Sequence, residues 1–132
     1  MLTTEDRITI TDVINLHGHL TDCGDFAHMP TLFAEDVTYD VSALHGGVLA
    51  GLSALQEAAL ALGEANPVAH HVTNIVLEEA PDGTVRALSK GLGVMADGSV
   101  RCVTYEDTLT KGDDGWRITH RVVRPRRLPL QP

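Results

Sequence analysis

Two adjacent histidines, His70 and His71, open an apolar segment, Ala-His-His-Val-Thr-Asn-Ile-Val-Leu, with the composition of a β-strand. Imidazole has the free side-chain pKa nearest neutrality, so it suits taking up and returning a proton. Side chains alternate across a strand, so one ring faces inward and the other outward. A buried imidazole that meets a carboxylate makes a general base. Asp22, at the end of the first predicted helix, is the carboxylate that would sit at the mouth of a pocket and tune such a base.

Other polar residues share faces with these. Asn15, His19 and Asp22 fall at i, i+4 and i+7, on one side of that helix, and His17 lies on a neighbouring side. On the long strand, alternation groups His70, Val72, Asn74 and Val76 against His71, Thr73, Ile75 and Leu77. A later strand sets Tyr105 and Asp107 beside Val103 and Leu109, a mixture that suits a partly polar pocket. The last strand sets Trp116, Ile118 and His120 against Arg117, Thr119 and Arg121. An arginine in a pocket would hold an enolate or carboxylate through charge-assisted hydrogen bonds, whereas Arg126 and Arg127 read as an exposed basic tail. No glycine-rich phosphate loop and no nucleophile elbow is present. His17 and His19 could not both face one ion from a helix, so neither metal nor cofactor is expected.

The elements that would carry these groups follow from periodicity and breakers. A helix starts at Thr3 or Thr4, repeats Ile8, Val13, Leu16 and Leu20, and ends near Cys23 before Gly24. A short helix fits Asp25 to Ala34, a strand Val37 to Val41, and a glycine-rich loop Ser42 to Gly51. Ser53 would cap a third helix, Ala54 to about Glu64. Strands then run Ala69 to Glu79, Val85 to Met95, Val100 to Lys111 and Trp116 to Val123, joined by Asp-Gly turns, with an irregular tail from about residue 124. Helices first and a meander after predict an α+β fold, its helices on one face of a curved sheet that closes into a cone with a pocket.

At 132 residues and 43% apolar, the chain is expected to form one domain, residues 1–132. A net charge of −8 repels nucleic acid and anionic lipid, so no nucleic-acid or membrane partner is expected. Cys23 and Cys102 lack metal-type spacing and read as reduced side chains. The N-terminus has no leader pattern and no segment is long enough to cross a bilayer, so a cytoplasmic protein is expected.

The stretch from Asp22 through Asp25-Phe26-Ala27-His28 to Val37 resembles the helix-to-strand passage of SnoaL-like proteins, in the nuclear transport factor 2-like superfamily. His70-His71-Val72-Thr73-Asn74, Tyr105-Glu106-Asp107 and Trp116 to Arg121 follow in the order of that family. The resemblance implies a cone-shaped α+β barrel with a deep apolar pocket, and a homodimer or homotrimer. It implies a catalytic dyad of Asp22 and His70, with His71 as second choice, because His70 precedes Asn74 by four residues. Tyrosines common in the dehydratase branch are replaced by His17 and His19, which leaves Tyr39 and Tyr105 as the phenols that could stand in. The expected activity is a cofactor-free lyase or isomerase, of dehydratase or polyketide-cyclase type, on a small apolar, aromatic, polyketide-like or steroid-like carbonyl compound. Asp22, His70 and Tyr105 would act in catalysis, and His19, Tyr39, Asn74, Asp107 and Arg121 would bind substrate. The alternatives are water activation against an epoxide, with Asp40 or Asp107 completing a carboxylate network, and a non-catalytic ligand-binding or dimerisation module.

Overall fold

The computed structural model describes residues 1–130. Helix α1 spans Thr4–Cys23. Thr3 and Asp6 form a reciprocal capping box at its start, and Gly24, in the left-handed region at φ 67°, ends it by donating to the Leu20 and Thr21 carbonyls. Its buried stripe is Ile10, Val13, Ile14, His17 and Gly18, whereas Ile8 lies 59% exposed. Of the expected apolar positions Val13 and Leu20 are buried and Leu16 half-buried, and only Ile8 lies off the stripe.

A short 3₁₀ helix, Phe26–Thr31, replaces the predicted second α-helix. Pro30 lies inside it and cannot donate to an α-helical ladder. Strand β1 then runs Phe33–Asp40, four residues earlier than its β-branched core suggests. The predicted loop contains strand β2, Val48–Ala50, which pairs antiparallel with β1. Helix α2 covers Leu52–Leu62; its N-cap is Gly51 rather than Ser53, and no side chain caps it. Asn66 closes its far end by donating to the Ala59 and Gly63 carbonyls.

Strands β3 (Ala69–Glu79), β4 (Val85–Val94), β5 (Val100–Gly112) and β6 (Gly115–Arg126) form the expected antiparallel meander. The six strands lie in the order β2-β1-β6-β5-β4-β3, with β1 parallel to β6, so the sheet is curved, mostly antiparallel and unclosed. The tail is shorter than predicted: β6 continues to Arg126, and even Pro125 sits opposite Val103. Proline is tolerated at a strand end where its missing N–H is not needed.

Two register shifts correct the simple alternation. In β3 the pairing slips between Thr73 and Val76, where Asn74 adopts φ 57°. His70 and Val72 before it, and Ile75 and Leu77 after it, are the half-buried positions. In β6 the slip lies opposite Thr108 and Leu109, so Trp116 and Ile118 are buried before it and Arg121 and Val123 after it. An extra residue on one strand rotates all that follows by one face. The bulge is what puts Arg121 inside and His120 on the outer side, where it contacts the Thr38 hydroxyl.

The core lies between α1 and the concave face of the sheet. Ile10, Ile14, Leu32, Phe33, Val37, Val85, Leu109 and Ile118 are almost wholly removed from solvent. The Trp116 indole N–H and the Lys111 ammonium both donate to Asp6 Oδ1 at 2.9 Å, which ties the start of α1 to the β5–β6 hairpin. These donors and the Thr3 contacts hold the Asp6 carboxyl well below the usual carboxylate range. Among the described residues no helix is long and apolar enough to cross a membrane, and Cys23 and Cys102 are free and exposed.

Candidate active site

The last turn of α1 meets the first residues of β3. Asp22 Oδ1 lies 2.6 Å from His70 Nδ1, and the His70 backbone N–H donates to both Asp22 oxygens at 3.0 Å. A carboxylate accepts only, so Nδ1 is the donor, and in the neutral ring Nε2 is the nitrogen that holds the lone pair. The backbone contact fixes where the carboxylate sits, and the ring contact fixes the tautomer. Side-chain exposures of 17% for His70 and 28% for Asp22 leave the pair partly open to solvent rather than deep in the core.

The close approach of α1 to β3 depends on Gly18. A Cβ there would lie 2.5 Å from the His70 carbonyl oxygen, a backbone atom that cannot swing aside. Glycine within a helix usually costs about 1 kcal/mol relative to alanine, so its presence calls for a packing reason. The usual sign should therefore reverse: Gly18→Ala should lower the melting temperature and lengthen the Asp22–His70 contact. Thermal denaturation checks the first effect and the exchange rate of the His70 ring proton the second. A rise in melting temperature would contradict the packing account.

Behind His70 the interior is polar and aromatic. The His17 ring packs edge-on against His70 (centroids 5.7 Å apart), Tyr105 (5.7 Å) and Phe33 (6.2 Å). Burial first, then the charge of Arg121, then His70, hold the His17 imidazole well below its ordinary value of 6.5. It is neutral in the folded protein and titrates near 6.5 when unfolded. Below about pH 6.5 the unfolded chain binds a proton that the folded one does not, so stability falls as pH falls. The slope is about 1.4 kcal/mol per pH unit until the buried ring is itself protonated. Chemical denaturation between pH 7 and pH 5 should show this slope in the wild type and a shallower one in His17→Phe.

Arg121 and Asp107 are both fully buried and form a two-pronged pair, Nε to Oδ1 at 2.6 Å and Nη2 to Oδ2 at 2.8 Å. Burial works against the guanidinium, but Asp107 outweighs it and keeps Arg121 charged. The cation lies over the Tyr105 ring at 4.3 Å and near the Phe33 and Tyr39 rings at 5.5 and 5.8 Å. Burial above all, with Tyr39 second, pushes the Tyr105 phenol well up. Burial likewise raises Tyr39 against the opposing pull of Arg121. Both phenols are protonated near neutral pH and able to donate. The Tyr105 ring lies flat over Gly91, where any Cβ would come within 2.4 Å of it.

The structure thus brings Asp22, His70, Tyr105, Tyr39, Asp107 and Arg121 to one region and leaves two expected residues outside it. His19 is exposed, because the inward side of α1 carries His17 and Gly18. Asn74 is exposed in the β3 bulge, so its alternation with His70 is broken. His71 is exposed, which makes His70 the inward member of the pair. Sequence reasoning misses the part played by His17, Gly18, Ser89 and Gly91. A glycine inside a helix beside a histidine is the available signal for the first two. Asp40 accepts from the Ser42 N–H and takes no part in the cluster. Among the described residues no three His, Cys, Asp or Glu side chains gather as a metal site requires. Two grooves lie on the outside of the molecule, about 250 Å³ along Thr4–Asp12 and about 540 Å³ on the sheet around Val76, Leu88, Glu106 and His120, and neither includes Asp22 or His70.

With fold and cluster described, comparison identifies the class. Residues 2–122 match the SnoaL-like domain, and the chain belongs to that family. Among solved structures, Aln2 from a Streptomyces species superimposes with a TM-score of 0.76 at 25% identity, over 93% of this chain and 92% of that one. A protein of unknown function with a cystatin-like fold from Nostoc punctiforme gives 0.79 at 18% identity, over 98% of each chain. An NTF2-like protein with a cystatin-like fold from Novosphingobium aromaticivorans gives 0.69 at 24% identity, over 90% of this chain and 80% of that one. No curated protein matches the sequence.

Proposed function

We propose that the protein is a cofactor-independent lyase or isomerase, of dehydratase or polyketide-cyclase type, that abstracts a proton α to the carbonyl of a small, mostly apolar compound. The observation that carries this reading is the 2.6 Å contact between Asp22 and His70 Nδ1, which leaves Nε2 as an oriented base. The α C–H bond breaks, its proton goes to Nε2, and the electron pair moves into an enolate. Asp22 offsets the charge of the imidazolium. The buried Tyr105 phenol or the Arg121 guanidinium donates to the enolate oxygen. The imidazolium then returns its proton to a departing β-hydroxyl, which gives dehydration, or to another carbon, which gives isomerisation.

Water activation against an epoxide is less well supported. It calls for a carboxylate network beyond the dyad, and Asp107 is committed to Arg121 while Asp40 accepts from Ser42. The test is α-proton exchange in D₂O, followed by NMR, for a panel of neutral aromatic ketones and β-hydroxyketones. The protein should accelerate exchange or water loss for members of the panel. Acceleration that persists in His70→Ala, or diol formation from an epoxide without any exchange, would contradict the proposal.

A further inference from the structure

Among the described residues, three buried polar atoms around Tyr105 have no hydrogen-bond partner: His17 Nδ1, Ser89 Oγ and Arg121 Nη1. Each belongs to a side chain that is 5% exposed or less. Buried polar atoms are normally paired, because an unpaired one forfeits its hydration without return. The three converge. Ser89 is the cross-strand neighbour of Tyr105, His17 packs on the Tyr105 ring, and the Arg121 cation lies over it. Along β4 the positions that share the face of Ser89 are Val85, Ala87, Gly91 and Gly93, and the Tyr105 ring lies over Gly91.

We propose that His17, Ser89 and Arg121 form a receptor for an uncharged oxygen of the ligand, and so select neutral ketones over both hydrocarbons and carboxylates. The inference rests on the reading of the Asp22–His70 pair as the catalytic base and names the substrate class of that site. Ser89 Oγ–H and Arg121 Nη1–H are donors for a carbonyl oxygen, and His17 can donate or accept according to tautomer. The preference for an uncharged group follows from charge balance. Arg121 is already neutralised by Asp107 through two hydrogen bonds, and His17 is held in so dry a place that it stays uncharged. A ligand carboxylate would be buried there without a counter-charge, which is strongly unfavourable. A carbonyl oxygen takes up the free donors and adds no net charge. The same donors strengthen as that oxygen becomes an enolate.

A receptor held ready for ligand has a signature that a structural hydrogen bond lacks. Removing a hydroxyl that is unsatisfied in the free protein should not destabilise it, yet should weaken binding. The probes are 1-tetralone, tetralin, which lacks the oxygen, and 1-naphthoate, which carries a carboxylate. Affinities are measured by titration calorimetry, and melting temperatures for the ligand-free proteins. The variants are Ser89→Ala, Ser89→Cys and Asp22→Asn. Tetralone should bind at least about tenfold more tightly than either other probe, the worth of roughly one net hydrogen bond. Ser89→Ala should lose about that factor for tetralone alone, with an unchanged or higher melting temperature, and Ser89→Cys, a weaker donor, should fall between. Asp22→Asn should bind tetralone as the wild type does. If tetralone binds with this preference while its α protons exchange no faster than in buffer, the receptor stands and the dyad reading fails. Equal binding of tetralone and tetralin, tightest binding of naphthoate, no binding of tetralone, or a Ser89→Ala variant that melts earlier with unaltered affinity would each overturn the proposal.

Discussion

Asp22→Asn should lower turnover by roughly 10²–10⁴-fold, and His70→Ala by at least as much, with little change in substrate affinity. The two substitutions act on one unit. Without His70 there is no base. In Asp22→Asn the new amide can present an N–H to Nδ1, which invites the proton onto Nε2 and removes the lone pair that should accept the substrate's proton. The double variant should therefore be about as slow as the worse single one, since the second change removes a group that no longer works. Fully additive losses would mean that the two residues act independently and that their 2.6 Å contact is incidental. Steady-state kinetics on any ketone that shows exchange measures this directly.

The second large effect concerns stability. Arg121→Met should cost about 3–5 kcal/mol, because it strands the Asp107 carboxylate with 0% exposure and no counter-charge. The double variant Arg121→Met with Asp107→Leu should recover most of that loss, since two apolar side chains of similar size remove the desolvation cost of both charges. Urea denaturation of the two single variants and the double variant tests this as a cycle. A double variant as unstable as the sum of the singles would show that the pair contributes more than it costs to bury. The double variant should also lose the ketone preference, because the free Nη1 donor goes with the arginine.

Much of the architecture follows from local signals. The capping box at Thr3, the stop at Gly24 and the Asp-Gly turns between strands are short-range features, and the meander follows from them. The parallel pairing of β1 with β6 has no such signal, because it joins residues about eighty positions apart. The bulges are equally hidden. At Asn74 the only hint is a residue type that tolerates the left-handed region, and at Thr119 there is none. Since a single inserted residue exchanges inside for outside, plain alternation misplaces Asn74 into the pocket. Plain alternation sets Arg121 with Arg117 and Thr119, opposite the buried Trp116 and Ile118; only the bulge at Thr119 turns it inward, and its partner Asp107 follows only from the register. On α1 the apolar positions Val13, Leu16 and Leu20 do mark the inner face, Ile8 does not, and His17 and Gly18 on that face carry too little hydropathy to be noticed. The spacing of His19 from Asp22 assigns it to the site, although Asp22 reaches β3 from the very end of the helix, where the geometry is that of a terminus and not of a stripe.

The most direct test of the base is the position of one proton. Nitrogen-15 NMR of the imidazoles, with His70→Gln used to assign the His70 signals, should show His70 near neutral pH with Nδ1 protonated and Nε2 bare. In Asp22→Ala that preference should collapse toward the mixture found in free histidine. A proton on Nε2 in the wild type, or a tautomer indifferent to the loss of Asp22, would contradict a dyad in which the carboxylate orients the base.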